Sequence, residues 1–324
     1  MIGPEHWQSI FGRFEISRDL IRFVGPELSS EELARHPSGP AGMAMSDVNF
    51  GGGSITSDVR WDVSNKFPAI HITTYRDPFD GSSVSAGIEN GGGKGADATS
   101  RFVIRYYDGT RTAERAQIVG QTSPVPRPLS GGMKLTVTQS GSIIDLYADQ
   151  VHVLRNLLPV ARPTSQCGLY CDGVGTIDFT SYTVTTHRRT AFVVMQFGVP
   201  YDQLYSDVIR PVVANCGFDV IRADDDFGPG LIIADVVRRI QEAEVIIADI
   251  TPENQNVFYE VGYAHALGKP TILLAEKGKR LPFDVSGFRT LFYENSIAGK
   301  ANVEQGLRRH VEAITRERPA ALAV

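Results

Sequence analysis

Five short apolar runs, separated by stretches of helical periodicity, constrain this chain more than any other feature. They are Ala191-Phe-Val-Val-Met195, Phe218-Asp-Val-Ile221, Glu244 to Asp249, Thr271 to Ala275 and Thr290 to Tyr293. Runs this short and this apolar suit strands buried on both faces. Between them lie three predicted helices. Asp202 to Ala214 carries Leu204, Val208, Ile209, Val212 and Val213 on one face, and Gly230 to Ala243 and Asn256 to Leu267 follow. A last helix is predicted from Val303 to Thr315. Strands alternating with helices predict an α/β domain with a parallel five-stranded sheet and right-handed crossovers.

Upstream the pattern is different. Segments of period two recur between Gly, Ser, Asp and Pro turns: Arg13 to Ser17, Leu20 to Val24, Ser54 to Trp61, Ala69 to Tyr75, Phe102 to Tyr107, Met133 to Thr138, Ile143 to Tyr147, Val151 to Leu154 and Thr176 to Val184. Gln139-Ser-Gly-Ser142 reads as a hairpin turn. Such spacing predicts an all-β sandwich or jelly roll. The change of pattern at His187-Arg-Arg189 divides the chain into domains 1–186 and 187–324. Gly91-Gly-Gly-Lys-Gly-Ala-Asp97 reads as a flexible loop, and Asp77, Asp80 and Asp108 as turn aspartates. The order of strands resembles the concanavalin A-like, laminin-G-like sandwich, the likeness resting on Ser54 to Trp61, Arg101 to Asp108, Gly132 to Val137 and Cys167-Gly-Leu-Tyr-Cys171.

Charge and cysteine usage narrow the class. The chain has 324 residues, with 32 Lys and Arg against 37 Asp and Glu, and a net charge of −5 with both signs scattered. That gives no basic stripe for nucleic acid or an anionic membrane. The opening Met-Ile-Gly-Pro-Glu-His-Trp-Gln lacks the charged and apolar regions of a secretion signal. Cys167 and Cys171, four residues apart on one extended stretch, stand about 13 Å apart, beyond disulfide reach. With Cys216 they are read as reduced thiols of a cytoplasmic protein. No metal-ligand set and no resident cofactor are read.

The chemistry is expected at the carboxyl edge of the parallel sheet. In a flavodoxin-like strand order, 2-1-3-4-5, the ligand crevice opens between the first and third strands. Gln196, Phe197 and Tyr201 follow the first of these; Asp249 ends the third; Asn254, Asn256, Tyr259 and Glu260 lie just beyond it. Aromatic faces and amides suit a nucleobase, and a helix N-terminus suits an anionic group. Asn256 and Glu260 share one helical face, beside Val257, Val261 and Ala264. Glu260 is either a charge complementing the helix dipole or a catalytic carboxylate. Asp249 either orients the site or caps the following turn. Asp224, Asp225 and Asp226 read as a solvated loop, Lys269-Pro270 as a helix terminator, and His265 as a packing residue.

Asn256-Val-Phe-Tyr-Glu-Val-Gly-Tyr-Ala-His-Ala-Leu-Gly-Lys-Pro270, after Ile246-Ile-Ala-Asp-Ile-Thr251, resembles the signature of the nucleoside 2-deoxyribosyltransferase-like family and the related TIR-like domains. The resemblance spans about residues 190 to 295. It implies that Glu260 is the active carboxylate in breaking an N-glycosidic bond. The other residues at this edge would contact the substrate. In the transferases an aspartate stands upstream of the catalytic Glu where this chain has Asn254. An amide cannot relay a proton, so the resemblance implies a good leaving group, such as the nicotinamide of NAD⁺. The expected protein is a Glu-dependent hydrolase of a nucleotide or dinucleotide, a homo-oligomer of the bacterial defence-effector type, regulated by its sandwich. The rivals are a non-catalytic nucleotide sensor and a deoxyribosyltransferase.

Overall fold

The computed structural model describes residues 6–26, 41–61, 69–90, 100–109, 116–118, 121–124, 131–158, 162–225, 232–279, 281, 285 and 287–316. The first residues of the chain, the Gly91 to Asp97 loop and Asp226 to Gly230 therefore lie outside the described residues. Two compact units emerge. One holds Met1–Gln139, Ile143–Leu158 and Thr164–His187, the other Ser140–Ser142, Pro159–Pro163 and Arg188–Val324.

The first unit is a β-sandwich of antiparallel strands. Its strands are β1 (Trp7–Phe11), β2 (Phe14–Ile16), β3 (Leu20–Val24), β4 (Ala41–Phe50), β5 (Gly53–Trp61), β6 (Ala69–Arg76), β7 (Ser83–Asn90) and β8 (Ser100–Tyr107). They continue with β9 (Ala116–Ile118), β10 (Ser123–Pro124), β11 (Gly132–Ser140), β12 (Ile143–Ala148), β13 (Val151–Leu157), β14 (Ser165–Asp172) and β15 (Thr176–Thr186). One sheet runs β1-β4-β14-β6-β7-β8-β10, with β9 on β8, and the other runs β13-β12-β11-β5-β15-β3-β2. Their inner faces share one core. In β5 every second residue (Ile55, Ser57, Val59, Trp61) is buried, and the Ser57 hydroxyl donates to the Thr180 carbonyl at 2.9 Å, so no polar group is stranded there.

Two features of this unit were not legible in its pattern. The predicted strand from Thr176 to Val184 carries a bulge between Thr180 and Thr183, with Ser181 at φ 53°. The extra residue switches the inward set from Ile177 and Phe179 to Tyr182, whose ring meets Trp7 edge-on at 4.8 Å. Strands β4 and β7 were missed because they are rich in Gly, Ala and Ser, residues that rarely announce a strand. Gly87 in β7 is required by close approach: a Cβ there would sit 2.0 Å from the Ile70 carbonyl oxygen. Asp77 and Asp80 cap their own turn, accepting from the Phe79 and Ser82 amides at 2.8 and 2.7 Å. The three cysteines are free thiols.

The second unit has the parallel sheet β16 (Arg189–Val194), β17 (Phe218–Arg222), β18 (Val245–Asp249), β19 (Thr271–Glu276) and β20 (Thr290–Tyr293). The order is β17-β16-β18-β19-β20, all pairs parallel, so the predicted 2-1-3-4-5 arrangement is the observed one. All five residues of β18 are buried, as a strand covered on both sides must be. The helical elements are α1 (Tyr201–Leu204), a π-helical turn (Tyr205–Ile209), α2 (Arg210–Asn215), α3 (Ile232–Glu242), α4 (Gln255–Ala266) and α5 (Ile297–Arg316). One face of the sheet packs Ala191, Val193, Ile247 and Leu274 against Val208, Val212, Leu307 and Val311. The other packs Phe192, Ile246 and Leu273 against Val236, Ile240, Val257, Val261 and Ala264.

The π turn interrupts what sequence periodicity reads as one continuous helix. Arg210 N–H reaches the Tyr205 carbonyl, five residues back, immediately before Pro211, which has no N–H to continue an α ladder. Helix α5 begins six residues before the predicted Val303, where Ser296 Oγ accepts from the Gly299 amide at 3.0 Å. Lys269 is more than a helix terminator. It is 4% exposed, and its ammonium donates to the carbonyls of Gln241 and Ala243 at 2.6 and 2.7 Å, at the carboxyl end of α3. Among the described residues no helix is long and apolar enough to cross a membrane.

Ile247 lies fully buried in the central strand. Ile247→Ala is expected to cost about 3 kcal/mol. The loss would appear as a lower urea midpoint for helical circular dichroism, and an unchanged midpoint would contradict this packing.

Candidate functional site

Because all five strands of the second unit run parallel, their carboxyl ends share one edge. The strand order reverses between β16 and β18, the place where sheets of this kind open a ligand crevice. Met195 is buried at the end of the first strand, Gln196 is half-buried, and Phe197 turns outward with half of its surface exposed. Tyr201 opens α1, close enough to Asp249 and Glu276 for their charges to add to burial in raising its phenol above the usual range. The loop after β16 and the end of β18 thus lie close together.

Asp249 is fully buried at the end of β18. Its carboxylate accepts from the Thr251 amide at 3.1 Å and the Thr251 hydroxyl at 2.5 Å, with the Tyr293 hydroxyl at 3.3 Å. Thr251 Oγ1 also lies 2.9 Å from the Tyr293 hydroxyl and accepts from the Glu276 amide at 3.0 Å. Burial pushes the Asp249 carboxyl up, and the bonds from Thr251 and Tyr293 oppose that shift. Burial and the Asp249 charge raise the Tyr293 phenol well above its ordinary value. Of the two readings of Asp249, the structure supplies the turn cap directly, and the same cap joins the ends of three strands. Thr251 and Tyr293 were not singled out from sequence; a Thr two residues after a strand-end Asp was the available signal.

Asn254 is the N-cap of α4, with extended backbone at φ −105° and ψ 114°. Its side-chain oxygen accepts from the Asn256 amide at 3.0 Å. Asn256 and Tyr259 are exposed on the helix, whereas Val257, Val261 and Ala264 face the core.

Glu260 stands on α4 in a half-buried position. Among the described residues no hydrogen bond or ion pair reaches its carboxylate, and burial alone pushes it up to about 7. It lies beyond the first helical turn, which contains no acidic residue, so dipole complementation does not account for it. His265 stacks on Phe288 with centroids 4.3 Å apart, a packing role. Among the described residues no group of His, Cys, Asp and Glu is arranged to hold a metal ion.

Arg222, the last residue of β17, was also missed. It forks onto Asp224 and donates to Asp202 at 2.8 Å, so Asp224 belongs to an ion-paired cluster, not to a merely solvated loop.

No family model matches the chain, and no curated protein does. Among solved structures the chain is similar to a carbohydrate-binding module, CBM66 from Bacillus subtilis, at 14% identity over 55% of this chain and 94% of that one, with a TM-score of 0.39. It is also similar to a Bacillus licheniformis β-glucanase at 13% identity, over 55% and 92% of the two chains, with a TM-score of 0.36. A third is the exoplasmic/lumenal domain of VIP36, at 10% identity over 57% and 87%, with a TM-score of 0.37.

The capping role of Asn254 is testable. Asn254→Ala should lower the stability of the second unit by about 1 kcal/mol. Asn254→Asp should retain it, since a carboxylate also caps and complements the helix dipole. Equal thermal midpoints for wild type and Asn254→Ala would remove the cap.

Proposed function

We propose that the second unit, a flavodoxin-like and TIR-like domain, is an N-ribosyl hydrolase acting on a nucleotide or dinucleotide, with NAD⁺ the substrate that suits it best. The observation that carries this reading is Glu260: a half-buried carboxylate without a partner among the described residues, held by the helix that follows the central strand. Structural carboxylates are normally paired, as Asp249 is with Thr251 and Tyr293. In this reading the unpaired Glu260 carboxylate meets a charge that arrives with substrate.

In this reading the bond between ribose C1′ and the pyridinium nitrogen breaks, and its electron pair stays on nitrogen, so nicotinamide leaves neutral. Positive charge develops on the ribose ring, and the Glu260 carboxylate stabilises it. Water then adds to C1′ and loses a proton, yielding ADP-ribose. No proton need be given to the leaving group, which agrees with an Asn254 engaged in capping. Among the described residues no cation pairs with Asp249 or Glu260. That negative edge favours a cationic pyridinium over a nucleoside monophosphate. Gln196, Phe197, Tyr201, Asn256 and Tyr259 provide amide and aromatic contacts for the rest of the substrate. The sandwich, a concanavalin-like jelly roll in this reading, senses a ligand or assembles a homo-oligomer. The three free thiols suit a cytoplasmic setting.

Incubation with NAD⁺, nucleoside monophosphates and deoxynucleosides tests this directly. Base release from NAD⁺ alone, or from NAD⁺ at least tenfold faster than from the others, is expected. Binding of NAD⁺ without release of any base would make the domain a sensor; base exchange between deoxynucleosides would make it a transferase.

The pH dependence follows from Glu260. The ionised form is required and its folded pKa is about 7. Hence kcat/KM for NAD⁺ should rise through about pH 7 and level off above it. A limb that falls across that range would assign Glu260 to proton donation instead. Stability should move the other way. A raised carboxylate pKa adds stability that is full below the unfolded value near 4.5 and is lost as pH rises through about 7. Glu260→Gln lacks this loss, so after allowance for solvent screening it should be more stable than wild type by about 1 kcal/mol at pH 8 and no more stable at pH 4. A destabilised Glu260→Gln at pH 8 would mean the carboxylate is structurally paired.

A further inference from the structure

We propose that Arg222 is a positioning residue for the substrate loop Gln196 to Tyr201, acting through Asp202; this inference rests on the N-ribosyl hydrolase reading. Arg222 is 8% exposed at the carboxyl end of β17, the strand beside β16. One of its amino groups donates to Asp202 Oδ1 at 2.8 Å, while its Nε and other amino group fork onto Asp224 at 2.6 and 2.5 Å. Asp202 does not stop at that contact. Its second oxygen accepts from the Gly198 amide at 3.1 Å, and the Asp202 amide donates back to the Gly198 carbonyl at 3.1 Å. The guanidinium therefore holds, through one carboxylate, the backbone that carries Phe197 and leads to Tyr201.

The same guanidinium lies over two rings, 5.2 Å from the centre of Phe197 and 4.4 Å from that of Tyr205. Tyr205 is buried in the π turn after α1, whereas Phe197 keeps half of its surface open. Arg222 thus backs one side of an aromatic ring whose remaining surface is free for a planar ligand group. Only a planar cation with several fixed donors can serve two carboxylates and two rings at once. Lysine offers a point charge without the fork. The role is one of preorganisation: a loop held in its binding shape before substrate arrives loses less freedom on binding.

The test uses the full chain with Arg222→Met, which keeps an apolar stem against the rings, with Arg222→Lys, and with Asp202→Asn as a milder route to the same loosening. For Arg222→Met, KM for NAD⁺ is expected to rise about tenfold with kcat within about twofold. Arg222→Lys and Asp202→Asn should fall between it and wild type. Amide hydrogen exchange in the Gly198 to Leu204 turn should quicken about tenfold, while the β18 and β19 amides keep their wild-type rates. An unchanged KM, or a loss confined to kcat, overturns the proposal, as does unchanged exchange in the turn. If wild-type protein releases no base, the hydrolase reading has failed, and the positioning role is then read from binding. Weaker NAD⁺ binding with faster turn exchange in Arg222→Met supports it; wild-type binding or wild-type exchange overturns it.

Discussion

The second unit is organised around a carboxylate that cannot reach water. Asp249 ends the central strand of a sheet covered by helices on both faces, and burying an unpaired carboxylate there would cost several kcal/mol. The cost is met locally by Thr251 and across the sheet by Tyr293, with Thr251 also receiving the Glu276 amide. These bonds draw together the ends of β18, β19 and β20 and define where the chain leaves the sheet. Asn254 then caps α4, the helix that carries Glu260.

The contrast between the two carboxylates is the basis of the functional reading. Both are raised by burial, but only Asp249 has hydrogen bonds that oppose the shift. The proposed function takes Glu260 as a carboxylate whose partner arrives with the ligand. At the carboxyl end of β17, Arg222 is committed to Asp202, Asp224 and two aromatic rings. It is therefore a structural cation.

How much of this was legible in the sequence depended on whether the signal was local. The run Val245 to Asp249 is apolar and the face Val257, Val261, Ala264 periodic, so a buried strand and the inward helix face followed from them. The sandwich strands with alternating large apolar residues were equally readable, while β4 and β7, built from Gly, Ala and Ser, were not. Asn254 stands just before a helical period, but its capping of α4 is a backbone geometry that residue type alone leaves open. Arg222, Thr251 and Tyr293 escaped notice because their roles are tertiary. Arg222 meets Asp202 twenty positions away, and Thr251 meets Tyr293 across two neighbouring strands. The π turn before Pro211 likewise hid inside a regular apolar period.

The central claim is that the unpartnered Glu260 carboxylate supports cleavage of a glycosidic bond to a cationic leaving group. The most direct test compares nicotinamide release from NAD⁺ by the wild-type protein and by Glu260→Gln at pH 8, with both variants shown to be folded. The account predicts release by the wild type and a loss of at least about a thousandfold in the variant, the scale of removing a principal charge-stabilising group. Equal rates of release from the two proteins would contradict it.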